Sequence, residues 1–164
     1  MKIAIMSDIH DNMLNLTKFL SWIKENKIDQ IICCGDVCNN ETLKYLANNF
    51  KKTIYLVYGN AELYQPEETK KFKNINFVGR FGAVDIFGKK IGLCHEPWFV
   101  EKVQEQDQCS FIFYGHTHKP WEETKNNAVV LNPGTLGGVF YMATFAVVDL
   151  DNGQRELKIL SKLK

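Results

Sequence analysis

No apolar run in this 164-residue chain approaches the length of a membrane span, and the opening Ile3-Ala4-Ile5-Met6 stretch is too short for a secretory signal before Asp8 interrupts it. Glycine, proline and serine form no low-complexity tract, which argues against disorder. Charge of one sign is missing as well. The formal net charge is +1 and no run of five like charges occurs, so the footprint of an extended nucleic-acid duplex or of an anionic membrane is absent. Any affinity for an anion has to come from a local site. Cysteines number five, an odd count, and Cys33, Cys34 and Cys94 sit inside or beside apolar runs. That pattern suits buried thiols in a reducing compartment better than a disulfide framework, and we expect a cytoplasmic protein.

What the chain does contain is 45% hydrophobic and 24% charged residues, the composition of a globular domain, and its length predicts a single domain over residues 1–164 with its own core. Short apolar runs recur along it, each followed by glycine or polar residues. Ile3 to Met6 leads into Ser7-Asp8-Ile9-His10, Ile31 to Cys34 into Gly35-Asp36, and Ile54 to Tyr58 into Gly59-Asn60. Ile91 to Cys94 leads into His95, and Phe111 to Tyr114 into Gly115-His116-Thr117-His118. An amphipathic segment from Met13 to Glu25 separates the first two runs, which predicts a βαβ unit. Later segments read as close antiparallel pairs: Phe77 to Ile86 with Lys90 to Cys94, then Val129 to Leu131, Thr144 to Leu150 and Glu156 to Leu160. Two packed sheets with helices outside are expected, in an α/β fold.

The carboxyl ends of strands in α/β sheets form one edge where loops converge on a ligand. Only four histidines occur, and all four (His10, His95, His116, His118) fall in these strand-end clusters. A lone histidine is more often structural than a ligand, but all four at strand ends reverses that expectation. Asp8 and Asp36 have a plainer alternative as helix caps.

Taken together, Asp8-x-His10, Gly35-Asp36, Gly59-Asn60, His95 and Gly115-His116-x-His118 resemble the signature of the calcineurin-like metallophosphoesterase superfamily, in its small YfcE/Vps29-like branch. The likeness runs over effectively the whole chain. It implies a four-layer sandwich of two mixed β-sheets flanked by helices, and a phosphodiesterase with two divalent transition-metal ions, manganese first, with nickel, cobalt, iron or zinc as alternatives. Asp8, His10 and His118 would hold one ion, Asn60, His95 and His116 the other, and Asp36 would bridge them. A mixed oxygen and imidazole set suits such metals better than calcium or magnesium. A metal-bridging hydroxide would attack phosphorus, and a singly charged diester, small or exposed, would match the residual positive charge.

Some positions depart from the pattern. Ala61-Glu62 follows Gly59-Asn60 where relatives carry a histidine or Cys-Asp, and Glu96-Pro97-Trp98 follows His95 where Gly-His is common. Asp36, Asn60, Glu62 and His95 are the residues expected to carry the chemistry. Glu62 and Glu96 are the candidates for proton donor, against ordinary surface or capping roles. Cys38 could approach the site or be a packed thiol. Trp98, Phe99, Trp121, Phe140 and Tyr141 could line a cleft or a subunit contact, with core burial expected for about half of them. Asn132-Pro133-Gly134-Thr135 is a turn by composition, and the resemblance puts its counterpart near the cleft, within reach of substrate. Rival readings are a Vps29-like non-catalytic protein-interaction scaffold and a phosphomonoesterase, and self-association stays open.

Overall fold

The computed structural model describes residues 1–163. Along the chain run β1 (Lys2–Met6), α1 (Met13–Glu25), β2 (Gln30–Cys33), α2 (Asn40–Asn49), β3 (Ile54–Val57), β4 (Ile75–Gly79), β5 (Phe81–Ile86) and β6 (Lys89–Cys94). They are followed by α3 (Val100–Gln106), β7 (Phe111–Phe113), β8 (Trp121–Lys125), β9 (Ala128–Asn132), β10 (Thr144–Asp149) and β11 (Arg155–Ile159).

The strands form two mixed sheets. The first has the order β11-β10-β1-β2-β3-β4, parallel from β1 to β4, with β10 antiparallel to both β1 and β11. The second has the order β5-β6-β7-β9-β8, with β6, β7 and β9 parallel and β5 and β8 antiparallel at the edges. Parallel strands connected through helices are covered on both faces, which is why their sequences read as continuous apolar runs.

Strand alternation divides each run between two cores. On β1 and β2, Ala4, Met6, Ile31 and Cys33 face Leu16, Phe19 and Ile23 of α1 and Leu43 and Leu46 of α2. Their neighbours Ile3, Ile5 and Ile32, with Cys34, face the second sheet and pack with Ile91, Leu93, Phe111, Phe113 and Leu131. A third cluster puts Val100 and Val103 of α3 against Cys94, Ile112 and Val130 on the outer face of the second sheet. The layers are therefore helices, sheet, sheet and helix, as the α/β expectation holds. No helix among the described residues is long and apolar enough to cross a membrane.

Two details differ from the sequence reading. The run from Phe77 to Ile86 is not one strand. It divides at Gly79, whose φ of +94° turns the chain, so that β4 completes the first sheet beside β3 while β5 starts the second beside β6. The exposed strand β8 and the seven-residue α3 were not anticipated, because neither carries a long periodic pattern.

Candidate metal centre

β1, β2 and β3 of the first sheet and β6 and β7 of the second all release their chains at one edge of the sandwich, and bonds within and between the sheets lock those exits together. The N–H of His116 donates to Asp8 Oδ2 at 3.1 Å, His95 Nδ1 lies 2.7 Å from the Cys34 carbonyl, and the N–H of Gly115 donates to the His95 carbonyl at 2.9 Å. The chain crossings leave no space for side chains. A Cβ on Gly115 would lie 1.9 Å from Ser7 Oγ, and one on Gly59 would lie 2.1 Å from Asp36 Oδ1.

The backbone at this edge is held in an uncommon conformation. Asp8, His10, Asp36, His116 and His118 all have positive φ, between +46° and +67°. Each such non-glycine residue costs about 1 kcal/mol or more, and clustering of that cost marks sites where side-chain aim outweighs backbone preference. Local bonds hold it, with the N–H groups of Ile9 and His10 both donating to the Asp36 carbonyl.

The structure brings the seven sequence-predicted residues into one constellation. His118 Nε2 lies 3.2 Å from Asp8 Oδ1 and 3.1 Å from His10 Nε2. Asp36 Oδ2 stands between two groups of side chains, 3.3 Å from His95 Nε2 and 3.7 Å from His10 Nε2. Asn60 Oδ1 lies 3.0 Å from His95 Nε2 and 2.7 Å from His116 Nδ1. The donor atoms of Asp8, His10 and His118 fall within 4.8 Å of one another, as do those of Asp8, Asp36 and His95. Neither aspartate is a helix cap: Asn12 caps α1 through its side chain, and Asp11 serves α2.

Whether these residues suit metal ions can be judged from unmatched atoms. With the His10 and His118 rings neutral, Asp8 Oδ1 is buried without a hydrogen-bond donor and faces the His118 Nε2 lone pair at 3.2 Å, a costly state for a carboxylate unless a proton on the ring or a metal ion completes it. The Nδ1 atoms of His95 and His118 donate to the carbonyls of Cys34 and Val139, at 2.7 and 3.1 Å. In the neutral rings this fixes the tautomer that leaves each Nε2 lone pair pointing into the cluster, the usual outer support of a metal-bound imidazole. The donor set fits.

The electrostatics agree. Burial works against the charge on Asp8, but hydrogen bonds from His10 and His118 overcome it and hold the carboxyl below its ordinary range. Asp36 is likewise lowered against its burial, by His95 and the N–H of Ala61. His95 is raised despite burial, through Asp36, and His118 is raised chiefly by its bond to Asp8. Without metal, Asp8 and Asp36 stay charged and His95 and His118 favour a proton, which a metal ion at their Nε2 atoms would replace.

The remaining candidates take other places. Glu62 points away from the ligand cluster: its Oε1 accepts the N–H groups of Val37 and Gly59 at 3.1 and 3.3 Å, and its Oε2 that of Cys38 at 2.7 Å. Burial raises its carboxyl, and the amides of Cys38 and Val37 pull it back. Glu96 is buried, and its Oε1 accepts a bond from the Arg80 guanidinium. Cys38 Sγ lies 3.6 Å from His10 Nδ1, and burial pushes its thiol up to about 12, an unreactive state at neutral pH. The Asn132 to Thr135 turn does not open into the cleft. Asn132 Nδ2 donates to the Gly115 carbonyl at 2.7 Å and Thr135 Oγ1 to the Asp8 carbonyl at 3.0 Å, both buried, so the turn braces the site from behind.

The five aromatic residues singled out in the sequence lie mostly outside the core, where burial was expected for about half of them. Trp98, Trp121, Phe140 and Tyr141 are exposed, and Phe99 is half-buried against Phe81. Two of them border the cluster, Trp98 with its ring centroid 5.2 Å from that of His116 and Phe140 at 5.6 Å from that of His118. Sequence reasoning missed Asp11, whose carboxylate accepts from the Asn39 N–H at 2.9 Å and from Thr42 Oγ1 at 2.5 Å, tying the β1 exit to the start of α2. A second acid in the Asp8-Ile9-His10-Asp11 stretch was its only signal. It also missed Arg80, whose partner Glu96 lies sixteen residues away.

Comparison with known proteins adds to this geometry. The family model of the calcineurin-like phosphoesterase superfamily domain matches residues 1–153. The phosphodiesterase MJ0936 of Methanocaldococcus jannaschii is 27% identical over 157 residues, covering 92% of this chain and 94% of its own. A solved structure described as a novel archaeal phosphodiesterase superposes with a TM-score of 0.88 at 25% identity, over 97% of this chain and 99% of that one. Vacuolar protein sorting 29 of Cryptosporidium parvum superposes with a TM-score of 0.70 at 24% identity, over 96% of this chain and 95% of that one, a likeness of fold alone.

Proposed function

The chain belongs to the calcineurin-like phosphoesterase superfamily, and from that premise we propose that it is a binuclear metal-dependent phosphodiesterase acting on a small or exposed phosphate diester. The observation that carries the reading is the convergence of Asp8, His10, Asp36, Asn60, His95, His116 and His118, including every histidine in the chain, at one sheet edge around a buried carboxylate oxygen with no donor. That full set, with its burial and backbone cost, supports chemistry over a scaffold.

Asp8, His10 and His118 would hold one divalent ion and Asn60, His95 and His116 a second, with Asp36 between them. The mixed oxygen and imidazole set admits manganese, nickel, cobalt, iron or zinc, and manganese is taken first on the family resemblance. When bound, such ions polarise phosphoryl oxygens and acidify a water to serve as nucleophile. The protein's own groups do the rest. The Cys34 and Val139 carbonyls orient His95 and His118. Asp8 and Asp36 offset part of the cationic charge, leaving a site matched to the single charge of a diester. Both oxygens of Glu62 are engaged by backbone amides and Glu96 is ion-paired through Oε1 with Arg80, which favours the charged, non-donating form of each, so esters with stable leaving groups are favoured. The reading sets the protein in the cytoplasm, where its free thiols would stay reduced.

The test is elemental analysis of protein purified without chelator, followed by assays of bis(p-nitrophenyl) phosphate with manganese, nickel, cobalt and zinc. Close to two metal equivalents and loss of turnover on chelation are expected. Absence of bound metal together with absence of metal-dependent hydrolysis would leave the scaffold reading in possession.

A further inference from the structure

Phe140 is the most exposed of the large apolar side chains among the described residues, at 89%. It stands in left-handed backbone with a φ of +64°, which a bulky residue rarely adopts without being held there. The segment is anchored on both sides. The N–H groups of Gly138 and Val139 donate to Thr135 Oγ1, the Val139 carbonyl holds His118, and the N–H of Thr144 donates to the Thr135 carbonyl at 2.9 Å. The turn that braces the metal centre thus also fixes Phe140 beside it. Its ring covers His118 at 5.6 Å between centroids and a tilt of 36°, with nearly all of its surface left to solvent. At the other end of the row of imidazoles, Trp98 meets His116 at 5.2 Å and remains 60% exposed.

An exposed, immobilised ring beside a phosphate-binding centre has a use only if something flat can lie on it while a phosphate sits at the imidazoles. Resting on the phosphodiesterase reading, we propose that Phe140 is a stacking platform for a planar ring on the ester group that stays on phosphorus, so that the substrate class is diesters whose retained ester group carries a nucleobase or an aryl ring. Stacking is tolerant of ring identity, because every such ring presents a π-face. The absence of any run of basic residues fits a short ligand rather than a long polyanion.

The test compares three substrates sharing one leaving group: the p-nitrophenyl esters of thymidine 5′-phosphate, phenyl phosphate and methyl phosphate. For the wild type, kcat/KM for at least one ringed substrate should exceed that for the methyl ester about tenfold, and the thymidine and phenyl arms separate a nucleobase from a simple aryl ring. Phe140→Ala should reduce that ratio about tenfold, through KM more than kcat, in line with the measured worth of base stacking. Phe140→Trp should restore it. A ratio that moves in neither alanine variant, or only in Trp98→Ala, overturns the assignment and leaves the loop as a surface for a partner protein. Should the wild type hydrolyse none of the three with any metal, the phosphodiesterase reading itself fails. The platform is then decided by calorimetry with the same metals: thymidine 5′-monophosphate binding about tenfold tighter than methyl phosphate, and losing that advantage in Phe140→Ala, supports it, and equal binding refutes it.

Discussion

Replacing Glu62 by glutamine separates two roles that the sequence left open for this residue. The carboxylate accepts three backbone N–H groups, from Val37 and Cys38 beside Asp36 and from Gly59 beside Asn60. It therefore clamps the β2 exit to the β3 exit, each of which carries a candidate metal ligand. Glutamine has the same shape but one acceptor oxygen, so its amide nitrogen would face a backbone donor wherever the side chain turns. If the oxygen stays with Val37 and Gly59, the buried Cys38 N–H loses a 2.7 Å bond and gains nothing. An unsatisfied buried donor costs about 1–3 kcal/mol, and the charge on the lost acceptor argues for the middle of that range, about 2 kcal/mol. For a chain of this length that corresponds to a fall in Tm of about 4–8 °C. Because Asp36 and Asn60 would shift together, metal content should drop and rates on nitrophenyl and alkyl diesters should fall by similar factors. Thermal melts with and without chelator, elemental analysis and a leaving-group series check this. A Glu62→Gln protein with wild-type melting and metal content, slowed only on alkyl esters, would show Glu62 to be the proton donor and refute the clamp.

Asp36→Asn should abolish turnover and lower both metal equivalents, whereas Asn60→Ala should chiefly lower one, as read by elemental analysis; full activity in Asp36→Asn would remove its bridging place. Gly115→Ala puts a methyl 1.9 Å from Ser7 Oγ and 2.8 Å from Asp8 Oδ2, so it should cost about 1–3 kcal/mol in urea unfolding and weaken metal binding by displacing Asp8. Asp11→Ala removes the acceptor for the amide of Asn39, the N-cap residue of α2, and should cost about 1–2 kcal/mol, with metal content retained, checked by the same unfolding curve. Removing metal with a chelator should lower apparent stability, by about 2.7 kcal/mol for an ion present at a hundred times its Kd, and adding manganese back should restore it.

Much of the frame was legible in the sequence for a local reason. The Met13 to Glu25 amphipathic pattern coincides with α1, and each short apolar run feeding a ligand is a strand, because burial on both faces of a parallel sheet leaves no room for a polar residue until the strand ends. The same runs named the seven residues that now share one edge. What lay beyond the sequence depends on neighbours distant along the chain. Which sheet takes the Phe77 to Ile86 run is decided by pairing with β3 and β6, and no propensity within the run records it. The position of Glu62 follows from amides some 25 residues upstream, and the bracing turn touches Asp8 across 127 residues, Thr135 Oγ1 to the Asp8 carbonyl. Phe140 has the composition of a core residue, and it is the anchored turn around it, through Thr135 and His118, that holds it out in solvent. Sequence thus determined which side chains could do chemistry, through patterns that repeat over a few residues; tertiary structure decided which of them aim at the centre and which hold it, because aim is set by hydrogen bonds between segments that only folding brings together.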